Sequence, residues 1–160
     1  MRLIFLCLFI LLGKPSLTFG GAFDDLIRKN GLFYESFSDV PFTGEITGID
    51  RGAFKDGLRH GRWIQGHENG QVKSEGDYEN GLKQGQWIGY YKNGQIFYEG
   101  AYVDGIKDGL WVSFYDDGKI FYRGQYKKGK EDGAWLGFNP DGTPWPYRTG
   151  IYKDGVRVGK

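Results

Sequence analysis

Cysteine and histidine, two side chains often used for nucleophilic and metal chemistry, are almost absent from this sequence. The one cysteine, Cys7, lies in an apolar N-terminal segment, and the two histidines, His60 and His67, are seven residues apart. If this segment is removed as a signal peptide, the mature chain has no thiol, and therefore no disulfide, no cysteine nucleophile and no thiolate metal site. The histidine spacing matches no zinc-binding pattern. We therefore expect no catalytic residue, no metal site and no cofactor.

An excess of charge of either sign is also missing. The sequence has 21 basic and 20 acidic residues, which gives a formal net charge of +1. A balanced chain lacks the long-range attraction for nucleic acid or anionic lipid that a basic cluster provides. We expect no nucleic-acid partner, and no direct membrane binding apart from the N-terminal segment.

Long apolar runs are absent except at the N-terminus. Residues 3–12 are ten consecutive apolar residues, followed by Gly-Lys-Pro. A helix that spans a bilayer needs about 20 apolar residues, so this shorter run is typical of a secretory signal peptide. We predict a signal peptide at residues 1–22, cleaved after Ala22 or after Gly20, and export to the periplasm or out of the cell. An uncleaved anchor or a misplaced start codon are the alternatives.

Glycine and aromatic residues are abundant, and both recur with a period of 24 residues. The period is marked by Trp63, Trp87, Trp111 and Trp135. Asn-Gly or Asp-Gly follows each tryptophan, at positions 69, 93, 117 and 141. A glycine and then an aromatic residue come next, at Gly76/Tyr78, Gly100/Tyr102 and Gly124/Tyr126, and Phe54 and Tyr152 extend the aromatic series. Such periodicity indicates a repeat protein. We assign residues 23–50 to a degenerate N-terminal cap and residues 51–160 to repeats with a C-terminal cap.

Each repeat is predicted to be a β-hairpin. Asn-Gly between β-rich segments favours a two-residue type I′ turn, and at Asn93-Gly94 this pairs Lys92 with Gln95 and Tyr91 with Ile96. Further along, the same register pairs Gly89 with Tyr98 and Trp87 with Gly100. Stacked hairpins then form an all-β fold, an elongated single-layer antiparallel sheet. One short helical turn is expected near Phe23–Arg28.

The two faces of this sheet differ. The face that carries Trp87, Tyr98 and Tyr102 is predicted to be packed, with large rings opposite glycines. The other face becomes aromatic from about residue 88 onward, although monomers rarely expose large apolar patches. This pattern predicts either a partner-binding stripe or a twist that covers the rings with neighbouring hairpins. Trp145, in a Pro-flanked insertion, is predicted to be an exposed contact residue. The candidate partner-binding residues are Tyr90, Phe97, Phe114, Phe121, Arg123, Phe138 and Trp145.

The repeat resembles the bacterial 24-residue variant of the MORN repeat (membrane occupation and recognition nexus). The resemblance rests on Gly-x-Trp, followed by Tyr-Tyr-Lys-Asn-Gly-Gln and then by Tyr-Glu-Gly-x-Tyr. The segments Gly31–Tyr34 and Val40–Ile46 resemble the opening of YwqK-type antitoxin-like proteins. The MORN resemblance implies a stack of antiparallel hairpins that serves as a binding or scaffolding surface, without catalytic residues. His67, Ser74 and the irregular last unit depart from the repeat and are typical of capping units.

The sequence therefore predicts a non-enzymatic module for protein–protein interaction or scaffolding in the cell envelope or outside the cell. One alternative is binding of a glycan or another envelope polymer through exposed aromatic residues. The other alternative is antitoxin-like neutralisation of a toxin partner. Glu75 and Glu99 recur at one repeat position that Arg123 then fills, so they resemble a solvated ladder more than a catalytic pair.

Overall fold

The repeats form consecutive antiparallel strands of one sheet in a computed structural model that describes residues 22–160. Nearly all of the predicted signal peptide therefore lies outside the described residues. Eleven strands follow in chain order, each hydrogen-bonded to the next. They are β3 (Gly44–Ile46), β4 (Arg51–Lys55), β5 (Leu58–Gly66), β6 (Val72–Glu79), β7 (Leu82–Tyr90), β8 (Ile96–Val103), β9 (Ile106–Phe114), β10 (Ile120–Lys127), β11 (Lys130–Gly137), β12 (Gly150–Lys153) and β13 (Val156–Gly159). The predicted all-β sheet of stacked hairpins is confirmed.

A separate hairpin lies at the N-terminal end of this sheet. A 3₁₀ turn (Phe23–Asp25) leads into β1 (Leu26–Lys29), which pairs with β2 (Leu32–Glu35). The predicted helical turn is thus confirmed for its first three residues, whereas the following residues are strand because they pair across a tight turn. The rings of Phe23 and Phe33 lie 6.3 and 5.0 Å from the ring of Phe54. This hairpin therefore covers the first end of the aromatic core.

The turns between repeats are type I′ turns, in which both central residues have positive φ. At Asn80-Gly81 the φ angles are 49° and 80°, and at Asp104-Gly105 they are 49° and 77°. Asn and Asp tolerate this left-handed conformation better than most residues, and glycine adopts it freely. Type I′ turns match the right-handed twist of the strands that they join, so each repeat leads into the next without splaying.

The turn inside each repeat is different, and the predicted type I′ turn at Asn93-Gly94 is wrong. Only Gly94 has positive φ, at 85°. The Tyr91 N–H donates to the Gln95 carbonyl at 2.8 Å, and the Gly94 N–H donates to the Tyr91 carbonyl at 3.0 Å. This is a type I turn followed by a left-handed glycine. The Asn93 side chain supports it by accepting a hydrogen bond from the Gln95 N–H at 3.0 Å.

The three-residue loop also changes the pairing beside it. Ile96 lies opposite Tyr90, not Tyr91, so the two predicted pairs closest to the turn are wrong. The register then shifts, because Phe97 has no partner on β7 and forms a β-bulge. Beyond the bulge, Gly89 pairs with Tyr98 and Trp87 with Gly100, as predicted. The bulge therefore restores the register that places tryptophan against glycine.

The core is a column of rings on one side of the sheet, which we call the inner face. Neighbouring rings of the column meet edge to face, at centroid distances of 5.0–6.2 Å. In order they are Phe54, Trp63, Tyr78, Trp87, Tyr102, Trp111, Tyr126 and Trp135. Tyr152 is buried in the same cluster as Trp111 and Trp135. Edge-to-face pairs contribute about 0.5–1.5 kcal/mol beyond the burial of their area, so the column holds the stack together.

Candidate binding surface

The four repeat tryptophans are enclosed on the inner face. Their relative exposure lies between 0 and 2 %. Each packs against a glycine on the preceding strand, as Trp87 does against Gly76. Each indole N–H donates to a carbonyl on that strand, as Trp87 does to Asp77 at 3.1 Å. With both ring and N–H satisfied inside the protein, these tryptophans present no face on which a sugar could stack.

The opposite side of the sheet, which we call the outer face, carries four of the predicted contact residues. Tyr90 and Phe114 lie on it because they alternate with the buried Trp87 and Trp111 along their strands. Arg123 lies directly opposite Val112, and Phe138 follows Leu136 in the same alternation. Arg123 is exposed, whereas Tyr90, Phe114 and Phe138 are half-buried. Neighbouring hairpins therefore cover these rings in part only.

Phe97 and Phe121, in contrast, lie on the inner side, and their predicted position on the outer face is wrong. The Phe97 ring lies 4.9 Å from the Tyr91 ring and 5.7 Å from the Tyr98 ring, and Tyr98 stacks on Trp111 at 5.0 Å. Adjacent residues of a regular strand point to opposite faces. The bulge turns Phe97 to the side of its neighbour instead, and Phe121 repeats this at the next bulge.

Trp145 does not project from its insertion as an isolated contact residue. It is half-buried and stacks on Phe121 at 5.7 Å with an interplanar angle of 30°. The backbone N–H of Trp145 donates to the Gly137 carbonyl at 2.7 Å. The insertion thus folds back over the last aromatic bulge. The seven predicted residues form two separate surfaces, four on the outer face and three beside the core.

The outer face has a regular composition across the strands. Direct cross-strand partners alternate between apolar and charged side chains from β5 to β11. The row reads Ile64, Glu75, Ile88, Glu99, Val112, Arg123 and Leu136. Within residues 22–160 no second layer of strands or helices lies over this row. The outer face is therefore a continuous surface of mixed polarity.

Its most apolar part is strand β9, which the sequence reasoning did not single out. Leu110, Val112 and Phe114 alternate there with buried inner residues. Leu110 is 60 % exposed. The corresponding strand β7 carries Gln86, where β9 has Leu110. Comparing the outward residue of each strand across repeats, instead of looking only for aromatic rings, would have identified Leu110.

Near the first repeats, a network of polar side chains lies on the outer face. The Tyr90 hydroxyl donates to Glu75 at 2.7 Å, and Arg62 forms an ion pair with the same carboxylate at 2.8 Å. The Tyr90 hydrogen bond, followed by the Arg62 contacts, holds the pKa of Glu75 below its usual value, despite an opposing effect of burial. Burial and the Glu75 bond raise the pKa of Tyr90 to about 12. Tyr90 is thus a fixed part of the surface.

His67 makes a hydrogen bond that recurs in the later repeats. The ring Nε2 of His67 lies 3.0 Å from the Tyr90 carbonyl, and the hydroxyl of Tyr91 makes the equivalent bond to Phe114 at 2.7 Å. The hydroxyl of Tyr115 repeats it with Phe138 at 2.8 Å. His67, Tyr91 and Tyr115 thus make the same contact from the same position of successive repeats. Among the described residues, no three His, Cys, Asp or Glu side chains come close enough together to hold a metal ion.

Within residues 22–160, no helix is both long enough and apolar enough to cross a bilayer. A search of curated proteins found no match to the chain. The resemblance to YwqK-type antitoxin-like proteins is not confirmed. Three consecutive hairpins, at residues 59–80, 83–104 and 107–128, match the family model described as MORN repeat variant, so the central part of this chain is built of MORN-type repeats.

Proposed function

We propose that this protein is a non-enzymatic interaction module that binds a protein partner on its outer face, centred on strand β9. The observation that carries the proposal is the outward series Leu110, Val112 and Phe114, on a sheet face that no strand or helix of residues 22–160 covers. Interfaces typically have an apolar centre and a polar rim. Glu99 and Arg123 lie on either side of Val112, which gives this surface a charged border. MORN-type repeats support the general role in binding.

We also propose that the protein works in the cell envelope or outside the cell, after removal of residues 1–22. N-terminal sequencing of the protein isolated from its native cells tests this part separately. A mature chain that begins at Phe23 or Gly21 and is recovered outside the cytoplasm would support it. Full-length protein in the cytoplasm would contradict it.

The binding surface is tested with the double variant Leu110→Ser/Phe114→Ser. Interface energy concentrates in a few central apolar residues, so the variant should bind the native partner at least about tenfold more weakly. The partner is first identified by affinity capture on the wild-type chain, and its affinity for purified variants is then measured. The single variant Leu110→Arg, at a highly exposed position, tests the same surface if the double variant is unstable.

The matched control is Val156→Ser/Val158→Ser on strand β13. Each of these valines is 64 % exposed, so the control removes a comparable amount of exposed apolar surface far along the sheet. The control should bind as the wild type does. If Leu110→Arg also binds normally, the proposed surface is wrong.

A further inference from the structure

A second candidate site arises on the inner face, where the first repeat departs from the others. In the second repeat Tyr98 stacks on Trp111 at 5.0 Å, and in the third repeat Tyr122 packs at a tilt against Trp135 at 5.6 Å. The first repeat has Ser74 at this position, so Trp87 has no such stacked ring. The neighbouring bulge position, held by Phe97 and Phe121 later in the chain, is Lys73. Small and cationic side chains therefore replace rings at one point of a periodic structure.

These replacements leave a cavity of about 440 Å³ beside Ser74. Small-molecule sites commonly have volumes of about 300–1,000 Å³. One wall is aromatic and consists of Tyr91, Phe97 and Tyr98. Ser74 lies on the other side, 7 % exposed, and donates to the Gln65 side chain at 3.0 Å. The cavity is thus open where the repeat pattern elsewhere places a phenol ring.

The charged residues around the cavity all have the same sign. Lys73, Lys83 and Lys92 line it, and no described lining residue is acidic. None of the three has a carboxylate within ion-pair distance in the described residues, whereas Arg62, Arg148 and Lys153 do. Lys83 is half-buried with its Nζ 3.9 Å from the centre of the Trp87 ring. Burial, followed by the charges of Arg59 and Lys107, lowers the pKa of Lys83.

We propose that this cavity is a binding site for a small aromatic anion, a single six-membered ring that carries a carboxylate or phosphate group. The ring takes the place that a tyrosine fills in the later repeats and packs against Phe97 and Tyr98. The anionic group is bound by Lys83 and the two exposed lysines at the rim. A ring without charge leaves the lysines unpaired, and an anion without a ring leaves the apolar wall in water.

The test measures calorimetric binding of phenyl phosphate and 4-hydroxyphenylacetate to the chain from residue 22 onward, the part that the structure describes as folded. Benzyl alcohol supplies the ring alone, and inorganic phosphate and acetate supply the charge alone. We expect each aromatic anion to bind at least about tenfold more tightly than its two matched fragments. Equal affinity for phenyl phosphate and inorganic phosphate, or no binding of either aromatic anion, would overturn the proposal.

The decisive variant is Gln65→Gly/Ser74→Tyr, which copies the second repeat into the first. A Cβ at Gly89 would lie 2.2 Å from the Tyr98 ring, so a tyrosine at position 74 requires a small residue at position 65. This variant should keep or gain stability and lose binding by at least about tenfold. Undiminished binding by the folded variant would also overturn the site.

Lys83→Met tests the cation, because methionine keeps an unbranched chain over Trp87 without the charge. Its matched control is Lys107→Met, whose Nζ lies at the same 3.9 Å from Trp111 but in a repeat where Tyr98 supplies the stacked ring. We expect about a tenfold loss for Lys83→Met and no change for the control. A phosphotyrosine peptide that binds more tightly than phenyl phosphate would identify a protein segment as the source of the ring, and equal affinity would identify a free metabolite.

Discussion

At the scale of single residues, glycine determines where the tryptophans can pack. The ring of Trp87 lies so close to Gly76 that a Cβ on this glycine would lie 2.4 Å from the indole. At Gly100 and Gly124 the corresponding distances are 2.2 Å. The repeated glycine is thus a steric requirement of the ring column, independent of any turn.

Gly76→Ala should therefore destabilise the protein by about 1–3 kcal/mol, the usual cost of overpacking a core. Urea unfolding followed by tryptophan fluorescence measures the free energy of unfolding. Gly159→Ala is the control, because its added Cβ would meet its nearest neighbour at an ordinary 3.6 Å. A Gly76→Ala protein as stable as the control would contradict this account of the packing.

At the scale of the hairpin, the type I′ turns predict a stabilising substitution. Lys128 occupies the left-handed position with φ of 49°, where the preceding turns have Asn80 and Asp104. The left-handed conformation is higher in energy for lysine than for asparagine. Lys128→Asn should raise the free energy of unfolding by about 0.5–1 kcal/mol. The substitution leaves one hydrogen bond of this turn in place, because the backbone N–H of residue 128 donates to the Asp108 carboxylate at 3.0 Å whatever side chain residue 128 has.

Lys127→Asn serves as its control, because residue 127 is an exposed strand residue beside the same turn. Thermal and urea unfolding of both variants make the comparison. A gain in Lys127→Asn equal to that in Lys128→Asn would mean that loss of charge, and not the backbone conformation, is responsible.

At the scale of the whole molecule, the stack should tolerate the removal of one complete repeat. Each strand from β4 to β12 pairs only with the strands before and after it, so stability is nearly a sum of repeat and interface contributions. Deletion of residues 83–106 joins Leu82 to Lys107 at equivalent repeat positions. We expect a folded β protein with a smaller dependence of unfolding free energy on urea, since less surface is exposed on unfolding.

Circular dichroism and urea titration measure this outcome. Deletion of residues 83–94, half a repeat, is the control because it removes the partner strand of a hairpin and changes the register. The half-repeat deletion should unfold or aggregate. Equal folding of both deletions would show that the repeat is not the structural unit.

The ring column also makes stability depend on alkaline pH. Burial raises the pKa of Tyr98 and of Tyr126 to about 12, above the usual value of 10.0. Between these values the unfolded chain loses phenol protons first, so the folded state loses stability as pH rises from about 10 to about 12. The half-buried lysines have the opposite effect on stability. The pKa values of Lys83 and Lys107 are lowered in the folded state, so the folded state gains stability as pH rises toward 10.5.

Urea unfolding at a series of pH values should therefore show that the free energy of unfolding falls above pH 10. In the folded protein, the absorbance of phenolate should appear at a higher pH than in the unfolded chain. Tyr126→Phe should reduce the fall, because a phenylalanine ring cannot ionise. Tyr147→Phe is the control, since Tyr147 is 83 % exposed. The same decline in both variants would contradict the assignment to the buried phenol.

Residue spacing alone was enough to predict the repeat, the antiparallel hairpins and the inner face. Tryptophan and glycine recur at a fixed period, as at Trp87 and Gly100, and the period of two along a strand assigns each residue to a face. The spacing also predicted an outer face that becomes aromatic after about residue 88, and Tyr90, Phe114 and Phe138 lie on that face. The conformation beside the turns could be known only from the folded structure. A three-residue loop and its bulge moved Phe97 and Phe121 to the inner side, and the insertion folded Trp145 over Phe121. Only contacts between neighbouring repeats show that Ser74 leaves a cavity, because a void depends on what the surrounding strands place around it.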